Sequence, residues 1–242
     1  MKAKMHCIYF GLVLFFTGIV SAQTPTKSPK MNMQDMMNFG KNKVDASKIP
    51  DKYSFSWKYT MQITSDKGKE IVFDYFLEPN TSYYGANMNK TGASSMFMIT
   101  DTKNNISITT FGKDGKKMAM ASKTPDFTAM ANDKANKMKY KAIPGKKILG
   151  FNCKGMQATN GEMEMIFYYT TESKVSFANI FKTKQNGGFP DIFKDILKPN
   201  EKPLLMEMNY KDLKNKSKTT TMKCISLNKE SYTFNKSDYK FM

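Results

Sequence analysis

The chain has 242 residues and a formal charge of +17, with 38 basic side chains that are all Lys and a single His, His6. Once a leader carrying His6 is removed, Ser-His-Asp and Cys-His catalysis and His-bearing zinc sites are excluded, and the two cysteines that remain are too few for a thiolate cage. No Gly-rich phosphate loop is present. The lack of Arg, together with export, argues against nucleic acid as a partner.

Residues 1–22 read as an export signal. Lys2 and Lys4 precede the apolar run Ile8 to Val20, which is shorter than the ~20 residues that span a bilayer, and Val20-Ser21-Ala22 supplies a small-residue cleavage site. Cleavage removes Lys2 and Lys4 and lowers the charge from +17 to +15. The expected location is therefore periplasmic or secreted. No later segment is apolar enough for a membrane helix, so an integral membrane protein is not expected. Residues 23–50 read as a flexible Met-, Lys- and Pro-rich tether, because little in them offsets the entropy of ordering.

From Tyr53 the pattern changes. Tyr53, Phe55, Trp57, Tyr59, Met61 and Ile63 alternate with polar residues, the period of a half-buried antiparallel strand. Asp66-Lys67-Gly68 marks a turn, and KEIVFDYFL its hairpin partner. Short strands follow at SYYGANM, SSMFMIT, NISITTF and KKMAMAS. Residues 122–142 form a polar break, then KKILGF, CKGMQAT and, after the hairpin signal Asn160-Gly161, EMEMIFYYT resume the strands. Residues 174–198 read as a helical insertion of two short helices, with Phe189, Ile192, Phe193, Ile196 and Leu197 on one face. LLMEMNY and KTTTMKCISL close the sheet, and SYTFNKSDYKFM is an edge strand or strap.

The fold class expected is mainly β. Residues 51–242 form one domain, a large curved antiparallel sheet or open β-barrel with the helical insertion on its concave face. Cys153 and Cys224, an even pair in an oxidising compartment, read as one disulfide worth about 4 kcal/mol by chain entropy, with two buried free thiols as the alternative.

Met-x-Met recurs at Met31/Met33, Met96/Met98, Met118/Met120, Met163/Met165 and Met206/Met208. In strands such pairs share a face, here with Phe167, Tyr169 and Tyr210. Three readings compete: ordinary core filling, a soft lining for an apolar ligand, and a thioether site for Cu(I), best placed in the tether. The ligand-lining candidates are Trp57, Met96, Met98, Met163, Met165, Met206 and Met208. Glu162 and Glu164 are the remaining carboxylate pair, and they sit on the polar side of the stripe. An enzyme, a bound metal and a cofactor are not expected. The Lys excess reads as a solvated surface with some attraction for an anionic envelope surface.

The block PGKKILGFNCKGMQATNGEMEMIFYYTTE contains Lys146-x-Ile148-x-Gly150-x-x-Cys153, then a turn and a strand ending in aromatics. With the closing Phe234, Tyr239, Lys240 and Met242, it resembles the secreted bacterial domain-of-unknown-function 4412 family. That family is similar in outline to the periplasmic lipoprotein carriers of the Lol system, whose open curved sheet, capped by helices, takes acyl chains. The resemblance implies a fold and a compartment. The best-known Lol carrier uses an Arg to shield acyl chains, and none exists here, so no functional residue is carried over. The function expected is an exported, non-enzymatic binding protein for a lipid, acyl chain or lipidated peptide. The alternative is a structural or envelope-stress protein with a filled core.

Overall fold

In a computed structural model, residues 42–87, 96–113, 116–124, 139–177, 201–214 and 218–242 are described. The export signal, most of the tether including its methionines, and residues 178–200 lie outside them. Twelve strands follow in chain order: β1 (Lys52–Ser65), β2 (Glu70–Leu77), β3 (Tyr83–Asn87), β4 (Phe97–Asp101), β5 (Ile106–Lys113), β6 (Lys116–Lys123), β7 (Lys139–Ile148), β8 (Phe151–Thr159), β9 (Met163–Thr170), β10 (Leu204–Asp212), β11 (Thr219–Asn235) and β12 (Lys240–Phe241). They form one open sheet in the order β12-β6-β5-β4-β3-β2-β1-β11-β10-β9-β8-β7. Every pairing is antiparallel except β12 on β6.

Turn chemistry sets much of this register. Gly68 takes φ 69° after Asp66-Lys67, and Gly161 takes φ 82° after Asn160. The Asn160 Oδ1 accepts the amides of Glu162 and Met163, which locks the β8–β9 hairpin. Leu149 (φ 51°) and Gly150 (φ 85°) make the tight turn between β7 and β8, the two-residue geometry that matches strand twist. The Lys146–Cys153 signature is therefore largely a structural hairpin. Lys146 Nζ lies 4.1 Å from the Tyr168 ring centroid and 2.8 Å from Glu207. Gly155 makes room beside them, since a Cβ there would meet the Tyr168 ring at 2.9 Å.

Two buried clusters form. The larger joins β1–β3 and β8–β11 through Tyr59, Met61, Tyr75, Leu77, Tyr84, Met156, Phe167, Met208 and Met222 among others. The smaller joins Tyr53, Phe55, Phe76, Phe97, Ile99, Ile106, Ile108 and Phe234. On β2, Tyr75 and Leu77 serve the first and Phe76 the second, so the clusters occupy opposite faces there. β1 contributes to both. Tyr53 and Phe55 enter the smaller and Tyr59 and Met61 the larger, and the β1–β11 ladder carries a bulge between Phe55 and Trp57. A bulge adds local twist, which lets one strand serve two cores.

Three sequence expectations change. No α-helix occurs among the described residues: the part of the 174–198 insertion that is described, Lys174–Phe177, is irregular coil, and the rest lies outside. Val175 and Phe177 are both buried, at the i, i+2 spacing of extended chain rather than of a helix. Second, Cys153 and Cys224 are buried free thiols, not a disulfide. They lie on β8 and β11 with β9 and β10 between them. A bridge would have to reach across both intervening strands, whereas bridged Cα atoms lie within ~7 Å of each other. Third, residues 42–50, read as the end of the tether, dock on the sheet. Lys43 bridges to Ser122, the Val44 amide donates to the Ala121 carbonyl at 3.0 Å, and Ile49 is in the smaller core.

Candidate functional site: a methionine face, sealed at one end

Cross-strand register places the methionines on one continuous face. One row runs Met156 (β8), Phe167 (β9), Met208 (β10), Met222 (β11), Ile63 (β1) and Ile71 (β2). A second runs Tyr59 (β1), Tyr75 (β2), Ala86 (β3), Met98 (β4), Thr109 (β5) and Met120 (β6). β1 links them, because Tyr59 and Ile63 are both odd-numbered residues of one strand.

The two ends of this face differ. At β8–β11, Met163, Met165, Met206 and Met208 are 0–6% exposed and packed into the larger core. Over β1–β3 the coil after β9 lies on the face. Phe177 meets the rings of Tyr59, Tyr75 and Tyr84 edge-on at 5.7, 5.5 and 5.8 Å. The Tyr59 hydroxyl donates to the Leu205 carbonyl at 2.6 Å. Burial pushes the acidity of all three tyrosines down, holding their pKa values well above the ordinary range. Over β4–β6 the same face is half-buried: Met98, Phe111, Met118 and Met120 belong to neither core cluster. Met242, whose amide donates to the Ala119 carbonyl at 3.0 Å, adds a side chain that is 48% exposed.

The seven expected lining residues therefore divide. Met163, Met165, Met206 and Met208 are core, Trp57 packs half-buried at its margin, and Met98 lies at the half-open end, with Met96 just before β4. Phe111, Met118, Met120 and Phe177 were absent from that set. Met118-x-Met120 carried the signal for two of them. Nothing in the sequence marks Phe177, whose surroundings read as helical. Buried thiols accompany the sealed end: burial drives Cys224 up to about 12 and Cys153 up as well, so neither is a nucleophile near neutral pH. Among the described residues no group of His, Cys, Asp and Glu could hold a metal ion, and no helix is long and apolar enough to cross a membrane.

No protein-family model matches the chain, and no curated protein does. Solved structures are similar in outline. PNGF-II aligns at 14% identity and TM-score 0.40, covering 77% of this chain and 30% of its own. MucB in complex with MucA(peri) aligns at 8% identity and TM-score 0.40, covering 82% of this chain and 56% of its own. A LolA superfamily protein from Nitrosomonas europaea aligns at 5% identity and TM-score 0.27, covering 75% of this chain and 88% of its own. The chain thus spans less than two thirds of the first two.

Proposed function

We propose that this is an exported, non-enzymatic binding protein that holds an apolar chain, such as an acyl group, against the methionine face. The observation that carries the reading is the half-open stretch of Met98, Phe111, Met118 and Met120, continuous with the sealed face under Phe177 and part of neither core. Methionine is unbranched and polarizable, so it conforms to chains of varied shape. Each CH₂ buried contributes ~0.8 kcal/mol, so eight methylenes buried on this stretch would contribute about 6 kcal/mol, a Kd in the tens of micromolar before ordering costs. The leader-like pattern of residues 1–22 supports the periplasmic or secreted location in this reading.

The test is the intact mass of the chain from residue 23, secreted to an oxidising periplasm and recorded natively and after denaturation. A bound apolar molecule adds mass natively that disappears on denaturation, and Met98→Asp with Met120→Asp removes it. A wild-type chain that carries no extra mass and takes up no twelve-carbon chain would overturn the reading. The filled core at Met163, Met165, Met206 and Met208 would then favour the second reading, a structural envelope protein with no small ligand.

A further inference from the structure

The half-open end of the methionine face is bordered by charge of one sign. β12 pairs with β6 so that Lys240 stands beside Met118. Lys116 precedes Met118 by two residues and so points to the same side. Both lysines are exposed, as is Lys117 on the opposite side of β6, where its ammonium lies 5.8 Å from the Tyr239 ring centroid. Among the described residues no carboxylate pairs with any of the three, whereas Lys58, Lys146, Lys154, Lys214 and Lys236 each have an acidic partner. Half-buried apolar side chains and unpaired cations thus meet at one end of one face.

We infer that the ligand is a single-chain anionic amphiphile, its oxyanion head (carboxylate or phosphate ester) at Lys116 and Lys240 and its chain over Met118, Met120 and Met98. This rests on the apolar-chain reading above and adds the chemistry of the head. Geometry sets the direction. The lysines occupy the β6–β12 edge, and Met120, Thr109 and Met98 lead from it across β5 and β4 toward the aromatic side chains at Tyr75 and Phe177. A head fixed at the edge therefore sends the chain inward across β5 and β4, over Met120 and Met98 or over the neighbouring Phe111. Lysine, a compact point charge, holds an oxyanion without demanding a bidentate fit.

The experiment is native mass spectrometry and calorimetry with dodecanoate, dodecyl phosphate, dodecanol and dodecyltrimethylammonium. The proteins are wild type, Lys116→Glu with Lys240→Glu, and Met98→Asp with Met120→Asp. Wild type is expected to bind at least one anion about tenfold more tightly than dodecanol, with the margin shrinking as salt rises. The Lys116→Glu/Lys240→Glu protein should lose that margin and prefer the cationic detergent. The lysines are exposed strand positions, so folding should persist, checked by circular dichroism. If all four amphiphiles bind alike and the charge reversal changes nothing, the head assignment is wrong and the apolar site stands. If none binds, the apolar site itself is wrong, and the head assignment falls with it.

Discussion

Phe177→Ala probes the most specific contact on the methionine face. Phe177 is 6% exposed and is delivered by a coil that has no strand pairing of its own. Its position depends on packing against Tyr59, Tyr75 and Tyr84, three edge-on rings within 5.8 Å. Truncating a buried Phe costs about 3–5 kcal/mol through lost transfer energy and the residual cavity. Each edge-on pair adds about 0.5–1.5 kcal/mol beyond area, part of which that range already contains. The structure also allows relief, because a coil can settle more readily than a paired strand. The expected loss is therefore about 3 kcal/mol, or about 6–12 °C in Tm for a domain of this size. Urea unfolding followed by tyrosine fluorescence and circular dichroism measures it, and the m-value should hold if only this contact is lost. A loss under about 1 kcal/mol would refute the packing of 171–177 on the face, and with it the sealed half of the site.

Other expectations follow from single contacts. In the chain from residue 23, a thiol reagent at pH 8 should find no reactive cysteine while folded and two after unfolding without reductant; none after unfolding would restore the disulfide. Cys224 stays protonated in the fold up to about 12, while an unfolded thiol ionises near 9. Its contribution is thus complete below pH 9 and is lost as the pH rises toward 12, up to about 4 kcal/mol, so stability that stays level from pH 8 to 11 would contradict its burial. Leu149→Asn, at φ 51° and 48% exposed, should stabilise by about 1 kcal/mol, since Asn tolerates the left-handed region far better. Tyr53→Phe removes the hydroxyl that donates to Asp101 at 2.9 Å in a buried setting and should cost about 2 kcal/mol in denaturant unfolding, with a neutral result disproving that bond.

Much of the sheet was legible because it is written in period-two alternation and turn chemistry. The odd-numbered face of β1, the Asp66-Lys67-Gly68 and Asn160-Gly161 turns, and β5, β6, β9 and β10 lie where the alternation places them. The closing segment was legible only in part. Its first residues extend β11 along β1, while Lys240 and Phe241 cross to pair with β6, a non-local contact that no local pattern encodes. Alternation shows that residues share a face but not how the face is covered. For that reason Met98 and Met165 looked alike in sequence, although one is half-exposed and the other is core. The cysteines misled for a related reason: count and compartment favour a bridge, whereas strand order sets the distance. At Val175–Phe177, apolar residues near a polar break suited a helix, but the segment is coil and Phe177 packs on three tyrosines.

Whether an apolar chain lies over β4–β6 is decided by photocrosslinking with a diazirine-bearing twelve-carbon fatty acid, followed by peptide mapping. Labels are expected on the peptides carrying Met98, Met118 and Met120, competed away by unlabelled dodecanoate and lost in Met98→Asp/Met120→Asp. Labels confined to other strands, or labels that dodecanoate does not compete, would contradict it.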